Sequence, residues 1–197
     1  MSPEAPTPSA RQSELLEAAY QYALAHGLAD LSLRPLAEAI GSSPRVLLFL
    51  FGSKDGLLKA LLARARADEL ALLERAGQPD RPAGLVPAVE QVWTWLAAKE
   101  HRPLLRLWAE AYTRSLMQPS GAWAGFARAT VEDWLGLLAG SQPLSERDSE
   151  RGLTRRTLAL AVLRGALLDL LATDDEKRLT EAVSHQLTLL RDASECA

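Results

Sequence analysis

The sequence predicts an all-α protein, a small three-helix head with a helix-turn-helix followed by a larger helical body, with about nine helices in all. Three observations carry that expectation. Ala, Leu, Glu and Arg dominate nearly every segment while β-branched residues are scarce, so local propensity favours helix throughout. Apolar residues recur at three- and four-residue spacing. Ser, Asp, Pro and Gly stand where such runs begin and end.

The first helix is read from Arg11 to His26, with Leu16, Ala19, Tyr20, Ala23 and Leu24 on one face and Gly27 as its stop. Ser32 caps a short second helix carrying Leu33, Leu36, Ala37 and Ile40, which Gly41 ends. Ser43 followed by Pro44 opens a third helix that runs to about Phe51. Ser53 caps a fourth, carried towards Ala76 by Leu57, Leu58, Leu61, Leu62, Leu70 and Leu73. The stretch from Gly77 to Gly84 is turn chemistry and divides head from body.

A fifth helix shows Val89, Val92, Trp93 and Leu96, with Trp95 off its stripe and partly exposed; a sixth follows Pro103 with Leu104, Leu105, Trp108, Ala111 and Tyr112. The seventh follows Pro119 and presents Trp123, Phe126, Thr130, Trp134 and Leu138 on one face before a break at Gly140 to Glu146. The stretch from Leu153 to Ala172 is apolar nearly all round, with one stripe of Leu158, Val162, Gly165 and Leu168 and another of Leu160, Leu163, Leu167 and Leu170. After a turn with a capping aspartate the last helix shows Leu179, Ala182, Val183, Leu187 and Leu190. The expected division is a disordered tail at 1–10, a three-helix head at 11–56 joined through the fourth helix at 53–76, and a larger helical body at 77–197.

Composition bounds the function. With 48% hydrophobic and 24% charged residues in 197, the chain reads as soluble and globular, and no apolar run reaches the roughly 18 residues of a membrane span. The Pro/Ser-rich start has neither the basic nor the apolar block of a signal or transit peptide, and the single Cys196 excludes an intrachain disulfide and a cysteine metal cluster, so the cytoplasm is the expected compartment. His26, His101 and His185 are isolated, no phosphate-binding glycine loop is present, and no enzyme, metal site or cofactor is expected. A net charge of −3 removes bulk positive charge as an argument for nucleic-acid binding. Residues 1–66 nevertheless carry seven basic and six acidic side chains, one net positive charge, so the remainder is at −4 and the head is the only plausible DNA contact.

A short helix, a turn through Gly41 and a second short helix is the helix-turn-helix arrangement, whose second helix can lie in a major groove; a plain helical hairpin is the alternative. The segment from Ala19 to Leu58 resembles the DNA-binding head of the TetR family of transcriptional regulators. The resemblance rests on Gly27, Leu36-Ala37 and Gly41 around the turn, Ser43 as cap, Phe51, and Ser53-Lys54-Asp55 before Leu57-Leu58. It implies a homodimer that binds a palindromic double-stranded DNA operator and lets go when a small-molecule effector enters the larger domain. Where the family pattern has an aromatic or polar pair in the third helix, this chain has Leu48 and Leu50. The alternative function is therefore a TetR-like helical dimer that has lost specific DNA binding and serves as a binding or interaction module.

Arg45, near the start of the third helix, is the expected base reader, since an arginine there reaches a guanine in bidentate fashion. Lys54 at a helix N-terminus is the expected phosphate contact, joined by Ser43 and by Arg34 of the second helix. Phe49, Phe51 and Tyr20 are assigned to the head's core. In the body, Trp93, Trp108, Tyr112, Trp123, Phe126, Thr130 and Trp134 are the candidate ligand pocket, because large rings separated by small residues leave room for an apolar cavity between helices; a well-filled core is the alternative. His101, Arg102, Glu110, Tyr112, Arg114 and Thr130 could orient a ligand's polar end. The dimer is expected through the last two helices, with Leu160, Leu163, Leu167 and Val183 in the interface and Leu187 and Leu190 beside them.

Overall fold

The computed structural model describes residues 9–76, 84–118 and 120–195. Most of the expected tail, the turn at 77–83, Pro119 and Cys196 lie outside the described residues. Among the described residues there are ten α-helices and two short 3₁₀ turns: α1 (Ala10–His26), α2 (Leu33–Ala39), α3 (Pro44–Phe51), α4 (Lys54–Ala76), α5 (Leu85–Ala97), η1 (Lys99–His101), α6 (Arg102–Met117), η2 (Gly121–Trp123), α7 (Phe126–Ser141), α8 (Leu144–Arg147), α9 (Glu150–Thr173) and α10 (Glu176–Glu195). No strand occurs among the described residues. The chain is all-α, as the sequence predicts. The extra helix is α8, one turn inside the expected break.

Caps act where the sequence places them, with one exception. Ser43 Oγ accepts from Val46 N at 3.3 Å, Ser53 Oγ from Gly56 N at 2.9 Å and Asp175 Oδ1 from Arg178 N at 3.2 Å, each satisfying a helix-start donor. Ser32 occupies the cap position of α2 without a side-chain bond. Trp123 lies on η2 rather than α7, because Gly125 takes a left-handed conformation (φ 77°) that breaks the helix before Phe126. Its ring is buried all the same.

The α4 helix belongs to both parts of the molecule. It packs on α1 and α3 on one side and on α5, α6, α7 and η2 on the other. Residues 64 and 68, one turn apart, face α1: Arg64 bonds Glu17 at 2.9 Å and Asp68 accepts from the fully buried Tyr20 hydroxyl at 2.8 Å. Residues 66 and 69 face α7, where Arg66 pairs with Asp133 and Glu69 Oε1 accepts from Trp134 Nε1 at 2.9 Å.

The body places α5 against α9 and α10, and α7 against α6 and α9. Trp95 is buried and stacks on the His101 ring at 4.5 Å, so the expectation of partial exposure is corrected: η1 folds back over the side of α5 that periodicity leaves polar. Of the two α9 stripes, Leu160, Leu163, Leu167 and Leu170 enter the chain's own core together with Leu179, Val183, Leu187 and Leu190 of α10. The expected interface residues Leu160, Leu163, Leu167 and Val183 therefore do not face outward. Charges at Leu187 and Leu190 would unfold the body instead of merely separating a dimer.

Glu69 is 2% exposed, and its burial raises the carboxyl from the usual carboxylate range to about 7, aided by Asp133 and opposed by the Trp134 bond and by Arg164 and Arg66. Because the folded-state value lies above the unfolded one, the folded protein holds the extra proton between about pH 4.5 and 7. The stability this contributes is complete below that window and lost as pH rises through it. Urea unfolding at pH 5 and pH 8 should show the wild type losing stability on the order of 3 kcal/mol relative to Glu69→Gln, whose profile lacks this titration. Parallel profiles would contradict the assignment.

Candidate nucleic-acid interface

In the head, Leu15, Tyr20, Leu36, Leu47, Leu57 and Leu61 form a closed core that fixes α3 across α2. Gly56 sets the junction between α3 and α4. A Cβ there would sit 2.0 Å from the Phe51 carbonyl oxygen, so only glycine lets the start of α4 close against the end of α3. Nothing in the helical periodicity singles out Gly56.

The four sequence-predicted contact residues are distributed over this surface. Arg45 and Lys54 are exposed, one at the start of α3 and one at the start of α4, and neither makes a side-chain hydrogen bond or ion pair among the described residues. Arg34 is exposed near the start of α2. Ser43 is half-buried and its hydroxyl is engaged in the cap of α3, which leaves its proton for an outside acceptor. The α4 N-terminus is likewise capped by Ser53, and Asp55 in its first turn is directed towards Gly121 of the body. Backbone donors, the helix dipole and the Lys54 ammonium thus meet at one exposed end.

Phe49 corrects the sequence reading. It is 86% exposed and outside the core, with Leu48 at 41% and Val46 at 38% beside it. The inward position on α3 is taken by Leu47, and a residue two places further along lies about 200° around the helix. Phe51 packs partly against the core and Tyr20 is fully buried, as expected.

The candidate pocket residues of the body are mostly engaged in contacts within the chain. Trp93 Nε1 bonds Thr180 Oγ1 at 3.0 Å, Thr130 Oγ1 bonds the Phe126 carbonyl at 2.6 Å, and Trp123 is covered by Arg114 at 5.9 Å. Arg102, proposed from sequence for a ligand's polar end, instead braces the end of α9 through the Leu170 carbonyl and Asp174. Trp108 and Tyr112 differ. They stack at 5.0 Å, Arg164 lies over the Tyr112 ring at 5.2 Å with one nitrogen 3.4 Å from its hydroxyl, and burial lowers the Arg164 guanidinium's pKa. Trp108 Nε1 and the Arg164 Nε and Nη2 atoms are buried without hydrogen-bond partners. Sequence reasoning missed Arg164 and Glu69, because each is one of several charges on its helix and the partners that set it apart come from far along the chain.

Head and body also meet through α6. Glu110 Oε2 accepts from Leu28 N at 2.8 Å, just beyond Gly27, whose φ of 79° turns the chain out of α1. A Cβ on Gly27 would lie 3.0 Å from the same carboxylate oxygen.

Among the described residues no helix is long and apolar enough to cross a membrane, and no group of three His, Cys, Asp or Glu could hold a metal ion. Residues 15–61 match the family model described as bacterial regulatory proteins, tetR family. Among curated proteins there is no match to the chain. Among solved structures, a transcriptional regulator from Rhodococcus sp. Rha1 superposes with a TM-score of 0.74 at 21% identity, covering 92% of this chain and 96% of that one. A TetR transcription regulator from Haloarcula marismortui gives 0.67 at 20% identity, covering 93% and 97%. The multidrug binding protein EbrR, complexed with proflavin, gives 0.64 at 24% identity, covering 89% and 98%. At these identities the likenesses establish the fold. The match at 15–61 and that fold together make the chain similar to TetR-family transcriptional regulators, whose family model its N-terminal helices match.

Proposed function

We propose that the protein is a cytoplasmic, ligand-responsive repressor that binds a palindromic operator as a homodimer and is released by a small molecule. The observation that carries this reading is the exposed, unpaired Arg45 at the start of α3, together with the exposed Lys54 at the capped start of α4. Base readout belongs to Arg45 and phosphate contacts to Lys54, Ser43 and Arg34. The boundaries 11–56 and 77–197 serve as the working division, with α4 between them.

Support for an effector site comes from Trp108, Tyr112 and Arg164, where buried donors lack acceptors, and from EbrR, a protein of this fold with proflavin bound. The α6 helix carries Trp108 and Tyr112 and also Glu110, which holds the Leu28 amide of the head. A ligand that shifts α6 would therefore shift the head.

For the dimer, the outward stripe of α9 supplies the surface: Leu158 at 46% exposure and Leu168 at 50%, with Ala161, Val162 and Gly165 between them and Leu189 of α10 nearby at 49%. The space beside Gly165 is open within 4 Å, which suits close approach by a second helix.

Lys54→Ala should weaken binding to all duplexes alike and shallow the salt dependence by about one unit, while Arg45→Ala should cost roughly 1–3 kcal/mol and relax one operator position. Titrations against a duplex selected from a random pool, and against random DNA, separate the two effects. Equal effects of both variants on both duplexes would contradict this division, and absence of wild-type binding at low salt would favour the interaction-module alternative.

Leu158→Asp with Leu168→Asp should give a folded monomer with the helical content of the wild type and much weaker operator binding. Sedimentation together with circular dichroism checks it. A dimer that survives both substitutions would place the interface elsewhere.

A further inference from the structure

The exposed face of α3 is almost devoid of hydrogen-bonding groups. Among its eight residues, Pro44–Phe51, only Arg45 carries a polar side chain. Phe49 follows Arg45 by four residues and Leu48 by three, so all three share one stripe of the helix. The Ser43 cap and the contact of Gly56 with the Phe51 carbonyl fix the helix's rotation, with Leu47 inward and fully buried. The chain's own core therefore cannot take up Phe49. A phenylalanine ring left 86% in water beside Leu48 and Val46 is a surface made for another molecule.

The occupant follows from the chemistry on either side. Arg45 and Lys54 border the apolar strip with positive charge, which suits a polyanion, and the strip has the width of one helix, which a major groove admits. The apolar feature of that groove is the thymine C5-methyl group. We infer that this head selects its half-sites by packing Phe49 and Leu48 against thymine methyl groups next to the base pair read by Arg45. Sequence readout is thus divided between one hydrogen-bonding side chain and an apolar strip. This inference rests on the DNA-binding reading given above.

The test uses the full-length protein and a duplex selected from a random pool. Thymines of each half-site are replaced one at a time by deoxyuridine, which pairs identically and lacks only the methyl group, and affinity is measured at fixed salt. At least one thymine in each half-site should show a loss of about fourfold, the value of one buried methyl, and about 16-fold when both half-sites are changed. Phe49→Ala or Leu48→Ala should bind the thymine and uracil duplexes equally at that position, whereas Lys54→Ala should weaken both and keep their ratio. Both α3 positions are exposed, so circular dichroism should show these variants folded. Selected half-sites without thymine, a selected duplex bound without sensitivity to uracil, or a sensitivity that persists in both α3 variants would overturn the inference while leaving DNA binding intact. Failure to select any duplex would instead overturn the DNA-binding reading and this inference with it.

Discussion

One helix has to satisfy two cores. Opposite faces of α4 hold the head and the body, and the 3.6-residue repeat assigns the work: positions 64 and 68 point to α1, positions 66 and 69 to α7. The two sides differ in kind. The Arg64–Glu17 pair is half in water and contributes little by itself, whereas the Trp134–Glu69 bond joins two buried side chains and the Tyr20–Asp68 bond satisfies a fully buried hydroxyl from a partly exposed carboxylate. Losing either bond strands a buried polar group, the Tyr20 hydroxyl on one face or Glu69 and the Trp134 N–H on the other, so neither face of α4 is free to slide over its neighbour.

The second strut, from Glu110 on α6 to the Leu28 amide, gives the head a fixed orientation as well as an attachment. With two points of contact, one along α4 and one on α6, a displacement inside the body reaches the head by a chain of packed elements. Trp108 and Tyr112 lie within one turn of Glu110 on the same helix, which places the ring cluster of the body and the support of the head on a single rigid rod. The orphaned donors of Trp108 and Arg164 sit where such a displacement would start.

Much of the backbone is legible in the sequence because its punctuation is chemical. Ser43-Pro44, Ser53 and Gly27 act through hydrogen bonds and backbone conformation that depend on a few neighbouring residues, and they set helix ends that the structure reproduces. Burial is less legible. The α9 helix is apolar on two sides, and nothing within its own sequence distinguishes the side bearing Leu160, Leu163 and Leu167, which is buried, from the side bearing Leu158 and Leu168. The same ambiguity hides Phe49: on α3 every position but Pro44 and Arg45 is a large hydrophobe, so periodicity carries no phase. Trp95 goes the other way, covered by a turn whose path depends on contacts outside its helix. Glu69 and Arg164 become notable only once residues nearly a hundred positions apart are brought together.

The central claim is that head and body form one cooperative unit through α4. Native-state hydrogen exchange of the full-length protein tests it most directly, by comparing opening free energies of protected amides in α1, α4, α6 and α7 across a denaturant series. A single unit predicts that the most protected amides of α1 and α7 converge with those of α4 on one common opening. An α1 that opens at markedly lower free energy while α4 and α7 stay closed would contradict the account, since the head would then be a separately folding module tethered to the body.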